Sequence, residues 1–153
     1  MKRIGVVCIL IFSFFGIADS AYLAQHAASG VPLLCNIQNF SDCNVVAASE
    51  YSQLFGIPLA QYGVVFYGIL FVLAALELVM FNRSLRRVLQ VVSLIGILFS
   101  FYFTFVQASL IGAFCIYCLA SAVLALLIFV CASFIEPIRE ARKKEDVRLP
   151  LVS

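Results

Sequence analysis

Apolar residues do not alternate with polar ones along this chain. They run in four blocks, at about residues 4–23, 59–81, 88–110 and 114–135. A bilayer has roughly 30 Å of hydrocarbon, and a helix rises 1.5 Å per residue, so about 20 apolar residues make a span. Each block meets that length, and helices are expected because a single segment in lipid must satisfy its own backbone hydrogen bonds. The predicted fold class is an all-α integral membrane protein. Residues 1–136 would form a four-transmembrane-helix bundle, and residues 137–153 a charged cytoplasmic tail with too few apolar residues to fold alone.

Between the first two blocks lies an outer loop of about residues 24–58, far longer than two neighbouring helices need. Ser41 and Asp42 can cap a helix beginning near Cys43, and Gly56 with Pro58 would end it. Val45, Val46, Leu54 and Phe55 give this stretch an apolar side among Asn44, Ser49, Glu50 and Gln53. A short interfacial helix across the mouth of the bundle is expected.

Composition reinforces the pattern. Hydrophobic residues make up 64% of the 153 and charged residues 12%, with a mean hydropathy of +1.10, which excludes a soluble monomer. The net charge of +2 says little, and nothing supports nucleic-acid binding. The placement of the ten Lys and Arg says more. Lys2 and Arg3 precede the first block, Arg83, Arg86 and Arg87 join the second and third, and Arg139, Arg142, Lys143, Lys144 and Arg148 follow the fourth. Neither the 24–58 loop nor the 110–114 connection holds one. By the positive-inside rule, this is a multi-pass protein of the cell (inner) membrane with both termini cytoplasmic and the loop outside. Lys2-Arg3 and the apolar run from Ile4 to Ile17 also resemble a secretory signal with small residues near Ser20-Ala21. An uncleaved first span is preferred, because removing it would spoil the one-sided sorting of basic residues.

Six cysteines then suggest chemistry. Cys115-Ile116-Tyr117-Cys118 opens the fourth span at its outward end, where unpaired helix N–H groups stabilise thiolate over thiol. Cys115 should feel that effect most. A structural pair, or mere packing, is the competing reading of such a motif. On one continuous helix Cys35 and Cys43 would lie about 12 Å apart, so pairing requires a turn, and Asn36, Asn39, Ser41 and Asp42 make one plausible. Two outward-facing pairs suit a thiol–disulfide relay into the bilayer. Cys8 and Cys131, near the opposite ends of their spans, read as packing residues. Asp19 lies about a turn from the outer end of the first span, where proton handling and loop anchoring are both open. His26, the single histidine, could carry protons, but a solvated loop histidine is the preferred reading, and Glu77 near the cytoplasmic end reads as a snorkelling carboxylate.

The whole arrangement resembles the vitamin K epoxide reductase family. The features are C-x7-C in a long first outer loop, Ser49 six residues after its second cysteine, Phe55-Gly56-Ile57-Pro58, and C-x-x-C opening the fourth span. The Gly16–Leu23 run and Phe114–Cys118 add to it. The resemblance implies a bundle around a quinone of the ubiquinone or menaquinone type, with Cys115 and Cys118 as the active-site pair. Cys35 and Cys43 would shuttle electrons to that pair, and Ser49, Phe55 and Cys118 would contact the quinone. Cys118, one turn deeper, is expected to be the quinone-facing thiolate with a lowered pKa, and Cys115 to receive a loop cysteine. Many microbial members carry a fused thioredoxin-like domain, and these residues contain none, so the partner dithiol is expected on a thioredoxin-like periplasmic or extracytoplasmic protein.

Two departures stand out. Ala122 occupies the position of a quinone-contacting Tyr of vertebrate members, and only Gln61 is a loose counterpart of their Asn in the second span. The expected function is a membrane thiol–quinone oxidoreductase that forms disulfides in exported proteins, exchanging electrons with the quinone pool. No resident metal is expected. The alternatives are a four-cysteine zinc protein, for which C-x7-C is a wide half-site, and a structural tetraspan with incidental disulfides.

Overall fold

The computed structural model describes residues 2–33, 36–37, 41–80 and 82–135. The expected tail at 137–153 and Cys35 lie outside them. Five helices and two small hairpins follow in order: α1 (Lys2–Ser29), β1 (Asn36–Ile37), β2 (Ser41–Asp42), α2 (Cys43–Ala48), β3 (Gln53–Leu54), β4 (Ile57–Pro58), α3 (Leu59–Met80), α4 (Arg83–Val106) and α5 (Ile116–Ile135). Four helical stretches, Ile4–Ser29, Leu59–Met80, Arg83–Ile111 and Ile116–Ile135, are long and apolar enough to cross a membrane.

The four long helices form an antiparallel bundle in which α1 packs against α3 and α5, and α4 against α5 and α3. One end carries the loop elements; the other carries the α3–α4 turn. The core sits toward that second end, where Val6, Ile9, Leu70, Ala74, Leu89, Ile128 and Ala132 are buried together. Large apolar side chains such as Phe14, Val79, Phe101, Phe105 and Phe134 are exposed around the outside, which suits lipid and not water. Midway, Gly16 lets α3 close on α1: a Cβ there would overlap the Tyr67 ring. Tyr67 is 2% exposed, and its hydroxyl donates to the Ser121 carbonyl of α5 at 2.7 Å. One side chain thus ties three helices together.

Several local expectations need correction. The first helix does not stop near residue 23; Leu23-Ala24-Gln25-His26-Ala27-Ala28 are good helix formers and carry α1 to Ser29. Gly30, at φ 67°, ends it with its N–H bonded to the His26 carbonyl at 3.0 Å. His26 is therefore helical and half-buried, with its ring 4.4 Å from that of Tyr22. The loop helix is also shorter than expected, because a 3₁₀ turn at Glu50–Ser52 follows it and Gly56 and Pro58 belong to the β3–β4 hairpin. Glu77 does not snorkel. It is 1% exposed, and Oε1 accepts a hydrogen bond from Arg86 Nε across the tight α3–α4 turn. Burial without that partner would be costly for a carboxylate.

Candidate active site

The loop elements converge on the start of α5. Asn36 pairs with Asp42 and Ile37 with Ser41, and this antiparallel reversal delivers Cys43 to the first position of α2. Asn44 then clamps the incoming chain: its side-chain Oδ1 accepts from the Leu33 N–H at 2.8 Å, and its Nδ2 donates to the Leu33 carbonyl at 3.4 Å. As a result Leu33, Cys43, Val46 and Cys115 form one buried cluster, against which Tyr22, Ile111, Tyr117 and Cys118 pack. Cys43 is disulfide-bonded, whereas Cys8, Cys115, Cys118 and Cys131 are free thiols.

The fourth helix begins two residues later than the expected start at about residue 114, so Cys115 precedes it. The fourth span begins at Ile116, and Cys115 caps it, its carbonyl accepting the first helical bond from the Leu119 N–H at 3.0 Å. A capping side chain meets the orphan N–H groups of the first turn. The Cys115 thiol is accordingly pulled from the usual value down to about 7. The Cys118 thiol donates to its sulfur and contributes most; burial opposes this, and the Cys118 and Tyr117 N–H groups add to the lowering. The stabilised charge thus falls on Cys115, where Cys118 was expected to carry it. The direction of the thiol–thiol hydrogen bond explains the difference first, because Cys118 donates and Cys115 accepts, and the N–H groups that converge on the residue before the helix add to it.

Sequence reasoning missed Gln107. After α4 the chain makes a π-helical turn, Gln107–Ile111, closed by Gly112 at φ 67°. Such turns are frequent at functional sites. Here the turn directs a buried Gln107 side chain back to the cysteines: Oε1 accepts from the Cys115 N–H at 3.2 Å, and the same amide hydrogen-bonds the Cys118 sulfur. Since the oxygen is committed to a donor, the NH₂ must face the sulfur. A lone amide in an apolar run, eight residues before C-x-x-C, was the available signal.

Below these groups is a cavity of about 800 Å³. That volume lies within the range of small-molecule sites. Cys115, Cys118, Gln107, Tyr67, Asp19 and Ser121 line its inner end, and Ser49 lines the loop side. The remaining wall is largely apolar and aromatic, with Phe66, Phe99 and Phe103 among its members. An apolar ring with two carbonyl oxygens fits such a lining. Ser49 reaches the cavity, although its hydroxyl proton goes to the Val46 carbonyl at 2.7 Å. His26 lines the outer part, so it is not simply a solvated residue.

Phe55 is not brought to the site. Phe55 and Gly56 both adopt positive φ, 56° and 77°, which suits a two-residue hairpin turn, and the ring projects from its tip 93% exposed. Gln61 is likewise exposed and outside the lining, and Ala122 contributes no wall where Ser121 does. Cys8 and Cys131 lie far down the bundle, half-buried and within hydrogen-bonding reach of each other. No three metal-ligating side chains converge among the described residues.

The order of these features along the chain has counterparts elsewhere. A thiol-disulfide oxidoreductase of Arabidopsis thaliana, LTO1, is 31% identical over 118 residues, which are 72% of this chain and 31% of that protein. The chain thus spans about a third of the length of the curated relative it matches. The profile of the vitamin K epoxide reductase family matches residues 7–133, a stretch that takes in most of the first and last spans, the two between them, the loop, and Cys35, Cys43, Cys115 and Cys118, and the chain belongs to that family.

Proposed function

We propose that this protein is a membrane thiol–quinone oxidoreductase that forms disulfides in exported proteins. The observation that carries the reading is the shared burial of Cys43 and Cys115 above a cavity that Cys118 also lines. Loop and helix cysteines in one cluster can exchange a disulfide without a large rearrangement. A dithiol on a thioredoxin-like partner outside the cytoplasm attacks Cys35 of the Cys35–Cys43 disulfide, and its second thiol closes the partner's own disulfide and releases the reduced loop pair. The Cys43 thiolate attacks Cys115 of an oxidised Cys115–Cys118 pair and Cys118 leaves as thiolate; Cys35 then attacks Cys43, which restores the loop disulfide and frees Cys115. A quinone of the ubiquinone or menaquinone type supplies the two-electron acceptor when bound.

Both cysteines line the cavity, but Cys115 is 2% exposed inside the cluster with Leu33, Cys43 and Val46, whereas Cys118 is half-buried at the edge of that cluster. Hence Cys115 takes the loop cysteine and Cys118 the acceptor side. The proton that Cys118 donates to Cys115 can shift between them, so either sulfur can hold the charge at its own step. Gln107 holds both in register. Ser49 lines the loop side of the cavity, which supports a contact with the acceptor, and the Arabidopsis thiol-disulfide oxidoreductase agrees with the thiol chemistry. A four-thiolate zinc site is disfavoured because Cys43 is disulfide-bonded. The outward orientation follows from the one-sided basic residues.

The test uses purified protein in lipid with two electron donors. Cys115→Ala and Cys118→Ala should abolish quinone reduction with either donor, since no other described group can pass two electrons to the ring. Cys35→Ala and Cys43→Ala should lose turnover with a protein dithiol and keep some with a small permeant reductant. Loop variants equally dead with both donors would sink the relay.

A further inference from the structure

Asp19 is a carboxyl group that the relay leaves without a task. It lies on α1 at the inner end of the cavity, and its Oδ2 is buried with no hydrogen-bond partner among the described residues. A carboxylate at that depth in a membrane helix is expensive and needs a reason. It caps nothing. It is near enough to interact electrostatically with Tyr67 of α3, with Cys115, and with Tyr117 and Cys118 of α5. On its own helix the neighbouring titratable groups are Tyr22 and His26. No Lys or Arg lines the cavity among the described residues.

The proposed reaction has a proton deficit at this point. A thiol and a thiolate that close into a disulfide release two electrons and one proton. Reducing a quinone to a hydroquinone consumes two electrons and two protons. The thiol supplies one, and the second must come from another acid beside the cysteines.

We propose that Asp19 is that acid: its protonated carboxyl delivers the second proton to the ring oxygen and is left as carboxylate. It is then recharged from the loop end. Asp19, Leu23, His26 and Ala27 form one cavity-facing stripe of α1, and His26 stands two turns, roughly 10 Å, outward of Asp19. Its Nδ1 lies 3.1 Å from the Val31 carbonyl, leaving Nε2 to exchange protons with the solvent at the mouth. The protons lost by the partner dithiol appear on that same side, so the two half-reactions balance across the cavity. The inference rests on the proposed quinone chemistry.

The experiment compares native protein, Asp19→Asn and Asp19→Glu in lipid, with a small permeant reductant and a short-chain quinone. Asp19→Asn should slow quinone reduction about 100-fold near neutral pH, the usual worth of a positioned acid, with the rate recovering as pH falls. Small permeant weak acids should restore the rate in proportion to their concentration, and Asp19→Glu should stay within about tenfold of native. A readout without quinone accompanies this: infrared difference titration should show a protonated-carboxyl band that Asp19→Asn removes, with the Cys115–Cys118 redox potential unchanged. Native rates and pH profile in Asp19→Asn would overturn the inference alone. So would a rate loss that no weak acid restores and that comes with a shifted potential, because that pattern marks a structural role. A native protein that reduces no quinone would overturn the proposed function and this inference with it.

Discussion

At the scale of single residues, one amide and one cap set the reactivity of the cysteine pair. Gln107 satisfies the buried Cys115 N–H through Oε1 and faces the Cys118 sulfur with its NH₂. Gln107→Leu removes both contacts and leaves a buried donor unpaired, which should cost about 1–3 kcal/mol of stability. Gln107→Glu keeps an acceptor for the Cys115 N–H but sets a carboxylate in a buried position beside the sulfurs. Burial of that unpartnered charge should lower the unfolding midpoint, and like-charge repulsion should make the Cys115 thiolate harder to form. The native thiol, lowered to about 7, should ionise as pH rises through 7, with the folded form losing its proton before the unfolded chain does. The reduced protein therefore gains stability between about pH 7 and the ordinary thiol range, and loses it as pH falls through 7. Thiolate ultraviolet absorbance, taken as the difference between native protein and Cys115→Ala, checks the midpoint. An unshifted midpoint in Gln107→Glu would mean that the amide does not tune the pair.

At the scale of elements, what could be read in advance follows from which physical constraint was strong. Bilayer thickness fixes span length, so four helices were legible from apolar runs alone, and a helix N-terminus beside C-x-x-C was legible from position. Helix ends were less so, because nothing in the Ala-rich stretch after Leu23 resists continuing α1 until Gly30 supplies a left-handed stop. The hairpins β1–β2 and β3–β4 have two-residue strands, too short for alternation to show. Tertiary partners were the least legible: Glu77 looked like a snorkelling side chain until α4 brought Arg86 to it. That pair gives an element-scale prediction. Arg86→Ala leaves Glu77 buried without this partner and should destabilise by about 3–5 kcal/mol, whereas Glu77→Leu with Arg86→Met should be near neutral. Unfolding in mixed micelles separates the two outcomes. Equal losses in both variants would show that the salt bridge itself, and not the unpaired charge, holds α3 to α4.

At the scale of the whole molecule, the bundle is polarised. Cys43, Cys115, Cys118 and the cavity mouth belong to the loop end, while Arg83, Arg86 and Arg87 begin α4 at the other. That separation makes orientation decisive, since a relay facing the cytoplasm would meet a reducing pool and could not oxidise exported proteins. The ten basic residues argue for the loop end outside. Cys8 and Cys131 report poorly on it, being half-buried inside the spans. Exposed positions serve better. In a cysteine-free background, Gln53→Cys on β3 and Ser84→Cys at the start of α4 put one thiol at each end. An impermeant maleimide added to intact cells should label Gln53→Cys at once and Ser84→Cys only after permeabilisation. Both substitutions are at exposed sites, so neither should disturb packing. The reverse pattern would place the relay in the cytoplasm and remove exported proteins as its substrates, while leaving the chemistry of the cysteine pair intact.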